Sequence, residues 1–297
     1  MSGLLSTATV TAVGLTCKAA LNLGFCSVTV SGLHHLDAAL AHKRRNNGQG
    51  VVTVSNHIST LDDPVTWGVL PTRYYLSSRT TRWALGASDV MFTNPIFSTF
   101  FRYGQTLETF RGKGVHQPAV DSAIQKLNQG DWVHLYGEGK INPPETYPLD
   151  ERGTPRLPRF KWGVGRILME TSAPPIIIPM WLTGFNNLMP EGRAFPYKYL
   201  PRPGAKLSVT FGAPLPAEQI QAALGSFRNG TTPPVDPSSP INAQKPTGWI
   251  KDQIAQKLHP PSIGEQDLLK VRAAVTSFIH DGVQSLGRSV CGESLRP

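Results

Sequence analysis

Three short runs of apolar, largely β-branched residues constrain the fold of this 297-residue chain more than any other feature. They occupy GVVTVSN (50–56), the start of DWVHLYGEGK (131–140) and PPIIIPMWL (174–182). Each has the length and composition of a strand buried within a sheet. Between them, segments 117–130 and 161–173 place apolar residues on one helical face. Strands that alternate with helices predict an α/β fold with a mostly parallel central sheet flanked by helices.

The rest of the chain extends this pattern. Residues 205–212 predict another strand, residues 33–45 a short helix with a basic end, and residues 265–286 a final helix. Residues 225–248 are rich in Pro, Ser and Gly without apolar periodicity, so we expect a surface loop there. We therefore interpret residues 33–297 as one domain.

The N-terminal segment is different in character. From Leu4 to Val30 the residues are apolar or small, interrupted by Lys18 and Asn22. The uninterrupted apolar runs are shorter than the roughly 20 residues that cross a bilayer. A signal peptide would carry its positive charge before the apolar run rather than inside it. Residues 1–32 are therefore interpreted as a membrane-interfacial helix, with an ordinary core helix as the alternative.

The charge balance narrows the class of partner. The chain has 29 Lys and Arg against 20 Asp and Glu, a net charge of +9, which favours anionic partners. No nucleic-acid-binding module is recognisable, and the basic residues are scattered rather than gathered in a stripe. The composition therefore favours an anionic membrane surface over nucleic acid.

A histidine and two aspartates follow the first predicted strand, in VSNHISTLDDP (54–64). Asp62 can accept the Nδ1 proton of His57 across a tight loop, which leaves Nε2 free to take a proton from a hydroxyl. Asp63 precedes Pro64 and is predicted to be the N-cap of a helix. A metal site would need a third ligand, and the other histidines lack ligand spacing. We therefore expect neither a metal nor a cofactor.

Three further stretches follow in order: GQTLETFRG (104–112), YGEGKIN (136–142) and PIIIP (175–179). The first carries Arg111, whose guanidinium suits bidentate contacts to phosphate. The second offers Glu138, backbone N–H groups and Lys140. With the histidine–aspartate pair, these stretches resemble the four motifs of the glycerolipid acyltransferase family: H-x4-D, G-x6-R, (F/Y)-P-E-G and an apolar strand with proline.

The resemblance implies a glycerol-3-phosphate-acyltransferase-like fold in the domain 33–297. It also implies that His57 is the general base and Asp62 its orienting partner, and that Arg111 and Glu138 bind the head group. Lys140 is added to this substrate-binding group for its charge and position. The glycine loop is added too, because the backbone N–H groups near His57 or Gly139 are candidate oxyanion donors.

Longer stretches are more specific still: VSNHISTLDDPVTWG, RWALGASDVMFT, LNQGDWVHLYGEGKIN and RFKWGVGRILME. Over residues 28–216, and more loosely in the final helix, they resemble the family's phospholipid–lysophospholipid transacylases, which remodel cardiolipin. That resemblance implies acyl transfer without CoA between lipids such as phosphatidylcholine, cardiolipin and lysocardiolipin. It also implies a peripheral location on the mitochondrial membranes that face the intermembrane space. The alternatives are an acyl-CoA-dependent lysophospholipid acyltransferase and a non-enzymatic lipid-binding protein.

Three details leave questions open. Gly137 stands where the family usually has proline, so the loop that carries Glu138 is expected to be less rigid. The segment WLTGFNNLMP (181–190) lacks a histidine that animal members have near its start, which suggests that this histidine is not essential. Segment 90–104 holds several aromatic residues, which predict either a membrane-dipping or acyl-chain-lining surface or plain core; they are Phe92, Phe97, Phe100, Phe101 and Tyr103.

Overall fold

A computed structural model describes residues 3–216, 248–249 and 265–296. The helices are α1 (Gly3–Asn22), α2 (Leu33–Ala41), α3 (Asp62–Val65), α4 (Ser88–Met91), α5 (Pro95–Tyr103), α6 (Pro118–Asn128), α7 (Trp162–Met169), α8 (Phe185–Leu188) and α9 (Glu265–Cys291). The strands are β1 (Ser27–Ser31), β2 (Val51–Ser55), β3 (Trp83–Ala87), β4 (Thr106–Thr109), β5 (Trp132–Tyr136), β6 (Ile176–Thr183) and β7 (Lys206–Phe211).

In the described part of the chain, the strands form one seven-stranded sheet in the order β1-β7-β6-β2-β5-β3-β4. The five strands from β6 to β4 are mutually parallel. Strand β7 runs antiparallel to β6, and β1 pairs with β7 in parallel. The prediction of a mostly parallel sheet flanked by helices is therefore confirmed. The carboxyl ends of β2, β5, β3 and β4 lie at one edge, where open α/β sheets bind ligands.

Helices cover both faces of this sheet. Alternate residues of the central strands point to opposite faces, so Val52 and Val54 pack in one core, whereas Val51 lies in the other. The first core includes α6, α7 and α9, and the second includes α2 and the end of α1. The central strands are buried on both sides, as their continuous apolar runs predict.

The predicted elements are present, with shifted ends. The helix expected over 33–45 stops at Ala41, and a short 3-10 helix (Lys43–Asn47) follows it. Strands β1, β3 and β4 are absent from the sequence-based expectations. The loop predicted over 225–248 lies outside the described residues except for Gly248.

Helix α1 lies along the domain rather than projecting from it. Hydroxyls of Ser6 and Thr11 donate to the carbonyls of Tyr103 and Tyr75. Lys18 Nζ donates to two backbone carbonyls of a neighbouring 3-10 turn, at 2.9 and 3.3 Å, which explains a lysine within the apolar run. Most of the helix is nevertheless partly or fully exposed, and its length and composition alone would allow it to cross a membrane.

Helix α5 shows whether the aromatic residues of segment 90–104 belong to the protein core. None of its side chains is buried, and Ile96, Phe97 and Phe100 are exposed. The alternative of plain core is therefore wrong for this helix. Asn94 caps the sequence PIFSTFFRY, which begins with Pro95 in the first turn, so the helix is well formed although one face is exposed in the described part of the chain.

Candidate active site

His57 and Asp62 form the hydrogen-bonded pair expected from their spacing. His57 follows β2 at the carboxyl edge of the sheet, and its Nδ1 lies 2.8 Å from Asp62 Oδ2. The histidine side chain is 20% exposed, whereas the aspartate is fully enclosed. Among the described residues, Nε2 has no hydrogen-bond partner. The ring also stacks on Tyr136, with centroids 4.2 Å apart, which restricts its tilt.

The Asp62 carboxylate organises the loop as well as the ring. Its Oδ2 accepts the backbone N–H groups of Ile58 at 2.6 Å and Ser59 at 2.9 Å, in addition to the imidazole. Burial raises the pKa of the Asp62 carboxyl, and the hydrogen bonds from His57 and from the two backbone N–H groups oppose that rise. The loop is thus wrapped around one oxygen, which fixes the position of the imidazole.

Glu138 lies beside this pair but faces inward. Its side chain is 2% exposed, and one carboxylate oxygen accepts the backbone N–H of His57 at 2.8 Å. The other oxygen accepts from Asn142 Nδ2. Burial raises the pKa of Glu138 to about 8, against the opposing effect of these two hydrogen bonds. The structure therefore brings Glu138 to His57, with both of its oxygens already bound by protein groups.

The glycine loop that follows β5 is held closely. Gly139 adopts a left-handed backbone with φ of 68°, and both Gly139 and Lys140 are exposed. At Gly137 an added Cβ would stand 2.5 Å from the Phe160 ring, and the Gly137 carbonyl accepts from Lys161 N at 2.8 Å. Glycine at the usual proline position therefore makes room for Phe160, and the loop is pinned by hydrogen bonds instead.

Arg111 lies at the same sheet edge but farther from the histidine. It follows β4, three strands from β2, which is a lateral separation of roughly 14 Å at ordinary strand spacing. Its guanidinium pairs with Asp89 at 3.1 Å, and both side chains are about half exposed or more. Arg111 is thus available at the surface but is not part of the hydrogen-bonded group around His57.

Asp63 has the extended backbone of a helix N-cap, with φ of −109° and ψ of 115°, and helical backbone follows at Val65 and Thr66. Its side chain, however, does not take the predicted capping role. The Asp63 carboxylate instead accepts from Arg82 Nε at 3.1 Å and from the Nη2 of the same guanidinium. Arg82 is 19 residues away and precedes β3, so the sequence around Asp63 gives no sign of this partner.

The candidate oxyanion donors also have other partners. The N–H groups of Ile58 and Ser59 bind Asp62, and that of His57 binds Glu138. The N–H of Gly139 donates to the carbonyl of Tyr136 at 3.1 Å. These groups therefore shape the loops in this structure.

Sequence reasoning missed three contributors to the site. The Tyr136 ring stacks on the imidazole of His57, and Asn142 donates a hydrogen bond to Glu138. The side chain of Asn56 bridges the strand ends: its Nδ2 donates to the carbonyl of Leu182, and the Leu182 N–H donates back to it. Tyr136 and Asn142 stand within the YGEGKIN stretch and Asn56 precedes His57, so only proximity in sequence marked them.

Comparison with known proteins places this chain in a family. The acyltransferase family matches residues 27–183, more than half of the chain, and this range includes His57, Asp62, Arg111 and Glu138. Sheet strands β1 to β6 fall within the match.

Curated relatives agree with this assignment. The N-acylphosphatidylethanolamine synthase of Arabidopsis thaliana is 32% identical over 86% of this chain and 87% of its own length. A tafazzin of Dictyostelium discoideum is 33% identical over 73% of this chain and 71% of its own, and one of Drosophila melanogaster is 38% identical over 58% and 42%.

Among solved structures, the 1-acyl-sn-glycerophosphate acyltransferase PlsC of Thermotoga maritima aligns with a TM-score of 0.49 and 18% identity, over 73% of this chain and 76% of that one. The resemblance of the sequence motifs to glycerolipid acyltransferases is confirmed by the family match and by the tafazzins. The chain belongs to the acyltransferase family and is an acyltransferase.

Proposed function

We propose that this acyltransferase moves fatty acyl groups from a phospholipid to a lysophospholipid without CoA, and that cardiolipin is among the lipids it remodels. The observation that carries the proposal is the His57–Asp62 pair, with Nε2 of the imidazole unengaged among the described residues. The similarity to tafazzins supports the lipid acceptor and the CoA-independent reaction. The resemblance of the motifs to cardiolipin-remodelling transacylases also supports a place on mitochondrial membranes.

In the proposed reaction, Nε2 of His57 takes the proton of the acceptor hydroxyl as its oxygen attacks the ester carbonyl of the donor. The tetrahedral intermediate then collapses, the donor ester C–O bond breaks, and the departing alkoxide takes the proton back from the imidazolium. Asp62 holds the Nδ1 proton and stabilises the positive ring. The proposed transfer is direct, because the chain has no G-x-S-x-G nucleophile turn to indicate a protein-bound acyl intermediate.

The exposed basic groups at the sheet edge suit an anionic head group. Lys140 lies in the glycine loop next to the His57 site, and Arg111 lies farther along the same edge. Arg111 would exchange its contact with Asp89 for a phosphate, a pairing for which the planar guanidinium is well shaped. Gly139 lets the backbone turn closely beneath the head group.

We further propose that residues 1–32 act as an interfacial membrane segment together with α5. Helices α1 and α5 contact each other, and both present exposed apolar side chains, which are Leu4, Leu5, Ile96, Phe97 and Phe100. We call these residues the apolar face. Because α1 is hydrogen-bonded along the domain near its start, middle and end, it suits a helix that lies in one leaflet rather than one that crosses the bilayer.

The test is acyl exchange in CoA-free vesicles that contain phosphatidylcholine with a labelled acyl chain and lysocardiolipin. We expect labelled cardiolipin with the wild-type protein, and a loss of roughly 10²- to 10⁴-fold in His57→Ala, because a positioned base contributes about that much. His42→Ala is the matched control, since His42 is exposed and outside the site. Exchange that persists in His57→Ala would overturn the assignment of the base.

The same vesicles distinguish the alternatives. Transfer only after addition of acyl-CoA would favour the acyl-CoA-dependent lysophospholipid acyltransferase. The Arabidopsis relative raises a second acceptor, the primary amine of phosphatidylethanolamine. An amide product in vesicles that contain this lipid, without transfer to the lysophospholipid, would favour that reaction. Tight binding with no acyl movement under any condition would favour a non-enzymatic lipid-binding protein.

A further inference from the structure

We propose that Glu138 and Asn142 form a clamp that positions the backbone of His57, so that Glu138 acts on the reaction through the histidine rather than through the head group. This inference rests on the proposed role of His57 as the base. It assigns a role to Asn142, to which the sequence motifs gave none, and it changes the role that the family resemblance implies for Glu138.

The contacts of the clamp enclose His57 from both sides. Glu138 Oε1 accepts the His57 N–H at 2.8 Å, and the Asn142 N–H donates to the His57 carbonyl at 2.7 Å. The circle closes through the side chains, because Asn142 Nδ2 donates to Glu138 Oε2. Both polar groups of the His57 peptide backbone are therefore fixed by two residues of one loop.

The location of His57 explains why such a clamp is needed. Strand β2 ends at Ser55, and α3 begins only at Asp62, so His57 lies in irregular backbone without ladder hydrogen bonds of its own. Asn56 ties the preceding residue to β6. The clamp ties His57 to the loop after β5, so the base is suspended between the two strands that flank β2.

The burial of the two residues argues against direct contact with a lipid head group. Glu138 is 2% exposed and Asn142 is 7% exposed. A head group could reach Glu138 only if the protein groups that enclose it moved apart, two of which already donate to its oxygens. The exposed neighbours Gly139 and Lys140 are better placed for that contact.

The decisive test is an exchange of donor and acceptor within the clamp. In Glu138→Gln, the new amide N–H₂ faces the amide N–H₂ of Asn142, and one hydrogen bond is lost. In Asn142→Asp, two carboxylates face each other. The double variant restores one donor and one acceptor, although the second hydrogen bond from Asn142 Nδ2, to the carbonyl of Lys140, is not restored. Activity is compared well above pH 8, because burial raises the pKa of Glu138 to about 8 and the carboxyl is mostly ionised only beyond that value.

We expect each single variant to lose roughly 10- to 100-fold in kcat, because small displacements of a reacting group are costly, with little change in KM for the lysophospholipid. We expect the double variant to recover at least about tenfold. A rise in KM with kcat unchanged would overturn the proposal in favour of a head-group contact, as would failure of the double variant to recover while it remains folded. The matched control is Glu145→Gln, which removes the carboxylate from the exposed Glu145–Asn186 pair.

A second measurement does not depend on the reaction. The Nδ1 proton of His57, held by Asp62, is expected to give a low-field proton resonance in the wild type. We expect this signal to broaden in Glu138→Gln and to sharpen again in the double variant. Unchanged spectra in all variants would overturn the clamp even if the enzyme used another acyl donor. If the wild type requires acyl-CoA, the kinetic comparison is made with that donor, so the two proposals fail separately.

Discussion

The Asp62 carboxylate combines two tasks that a substitution can separate. Its Oδ2 accepts three N–H groups, while Oδ1 is buried without a hydrogen-bond partner among the described residues. In Asp62→Asn, the amide oxygen can take the place of Oδ2, and the amide N–H₂ can take the unpartnered position. The loop geometry and the tautomer of His57 should survive this change, whereas the negative charge is lost.

We therefore expect Asp62→Asn to lower kcat by roughly 10- to 1,000-fold, because the imidazolium loses its counter-charge. The free energy of unfolding should change little, because relief from burying an ionised carboxyl is offset by burial of an amide N–H₂ without a partner. Vesicle kinetics and thermal unfolding of the same preparation provide the two measurements. Wild-type kcat in this variant would show that the charge of Asp62 plays no part in the reaction.

The ionisation of Glu138 should make the free energy of unfolding depend on pH. Its pKa is raised from 4.5 to about 8 by burial, next to Asp62 and Tyr147, with Lys140 and the hydrogen bonds from His57 and Asn142 opposing the rise. The folded state therefore holds this proton more tightly than the unfolded state. The stabilisation is complete below the unfolded pKa and is lost as the pH rises through about 8.

The expected loss from this group is at most about 1.4 kcal/mol per pH unit over that range. Glu138→Gln has no ionisable group there, so its free energy of unfolding should fall less steeply between about pH 5 and about pH 8. Denaturant unfolding of both proteins at several pH values measures the difference in slope. Parallel pH profiles would contradict the raised pKa.

The sequence predicts hydrogen bonds within a short loop better than it predicts contacts between side chains that the tertiary structure brings together. The spacing of His57 and Asp62 suggested their hydrogen bond, because the loop between them is short. Asp63 has its partner Arg82 on the approach to β3, and Asn142 meets Glu138 only because the glycine loop folds back. Contacts of these two kinds depend on tertiary structure, which local sequence rules do not contain.

At the scale of elements, the apolar face is the feature most open to experiment. Phe97 and Phe100 are each about half exposed on α5. If they enter a lipid surface, Phe97→Asp should weaken binding to vesicles by about tenfold or more, because burial of one such side chain contributes roughly 1.5–3 kcal/mol. Sedimentation with vesicles measures the partition coefficient.

Leu149→Asp is the control for this variant. Leu149 is 63% exposed, more than Phe97, and it lies in the segment between β5 and α7 rather than on α1 or α5. Its substitution should leave vesicle binding unchanged, since general exposure of an apolar side chain is not enough. Equal losses in both variants would mean that α5 has no special place in membrane binding.

The sequence predicts the strands that are buried on both faces of the sheet, but it does not predict the strands at the edges. Strands β2, β5 and β6 are buried on both faces and read as continuous apolar runs. Strand β1 (SVTVS) has no buried residue, and β4 (TLET) has only four residues at the other edge of the sheet. Such edge strands are defined by hydrogen bonds to distant partners, and their own composition is weakly biased.

At the scale of the whole molecule, the net charge of +9 should govern the approach to membranes. We expect tighter binding to vesicles that contain anionic lipid than to neutral vesicles, and a loss of that advantage as salt is raised. Each basic residue near an anionic surface contributes about 1 kcal/mol, and added salt screens it. Binding that is equal on both kinds of vesicle at low salt would contradict an electrostatic contribution.

The position of β7 in the sheet determines which residues a shortened version of the protein must keep. The acyltransferase family match ends at residue 183, but β7 lies beyond that point and is the strand that joins β1 to β6. Helix α9 also lies beyond it, and Gly287 in that helix rests on the Trp181 ring with no room for a side chain. A fragment that keeps only the matched residues 27–183 would therefore lose a sheet partner and the cover of a core. The residues that match the family are therefore fewer than the residues that complete the sheet and its core.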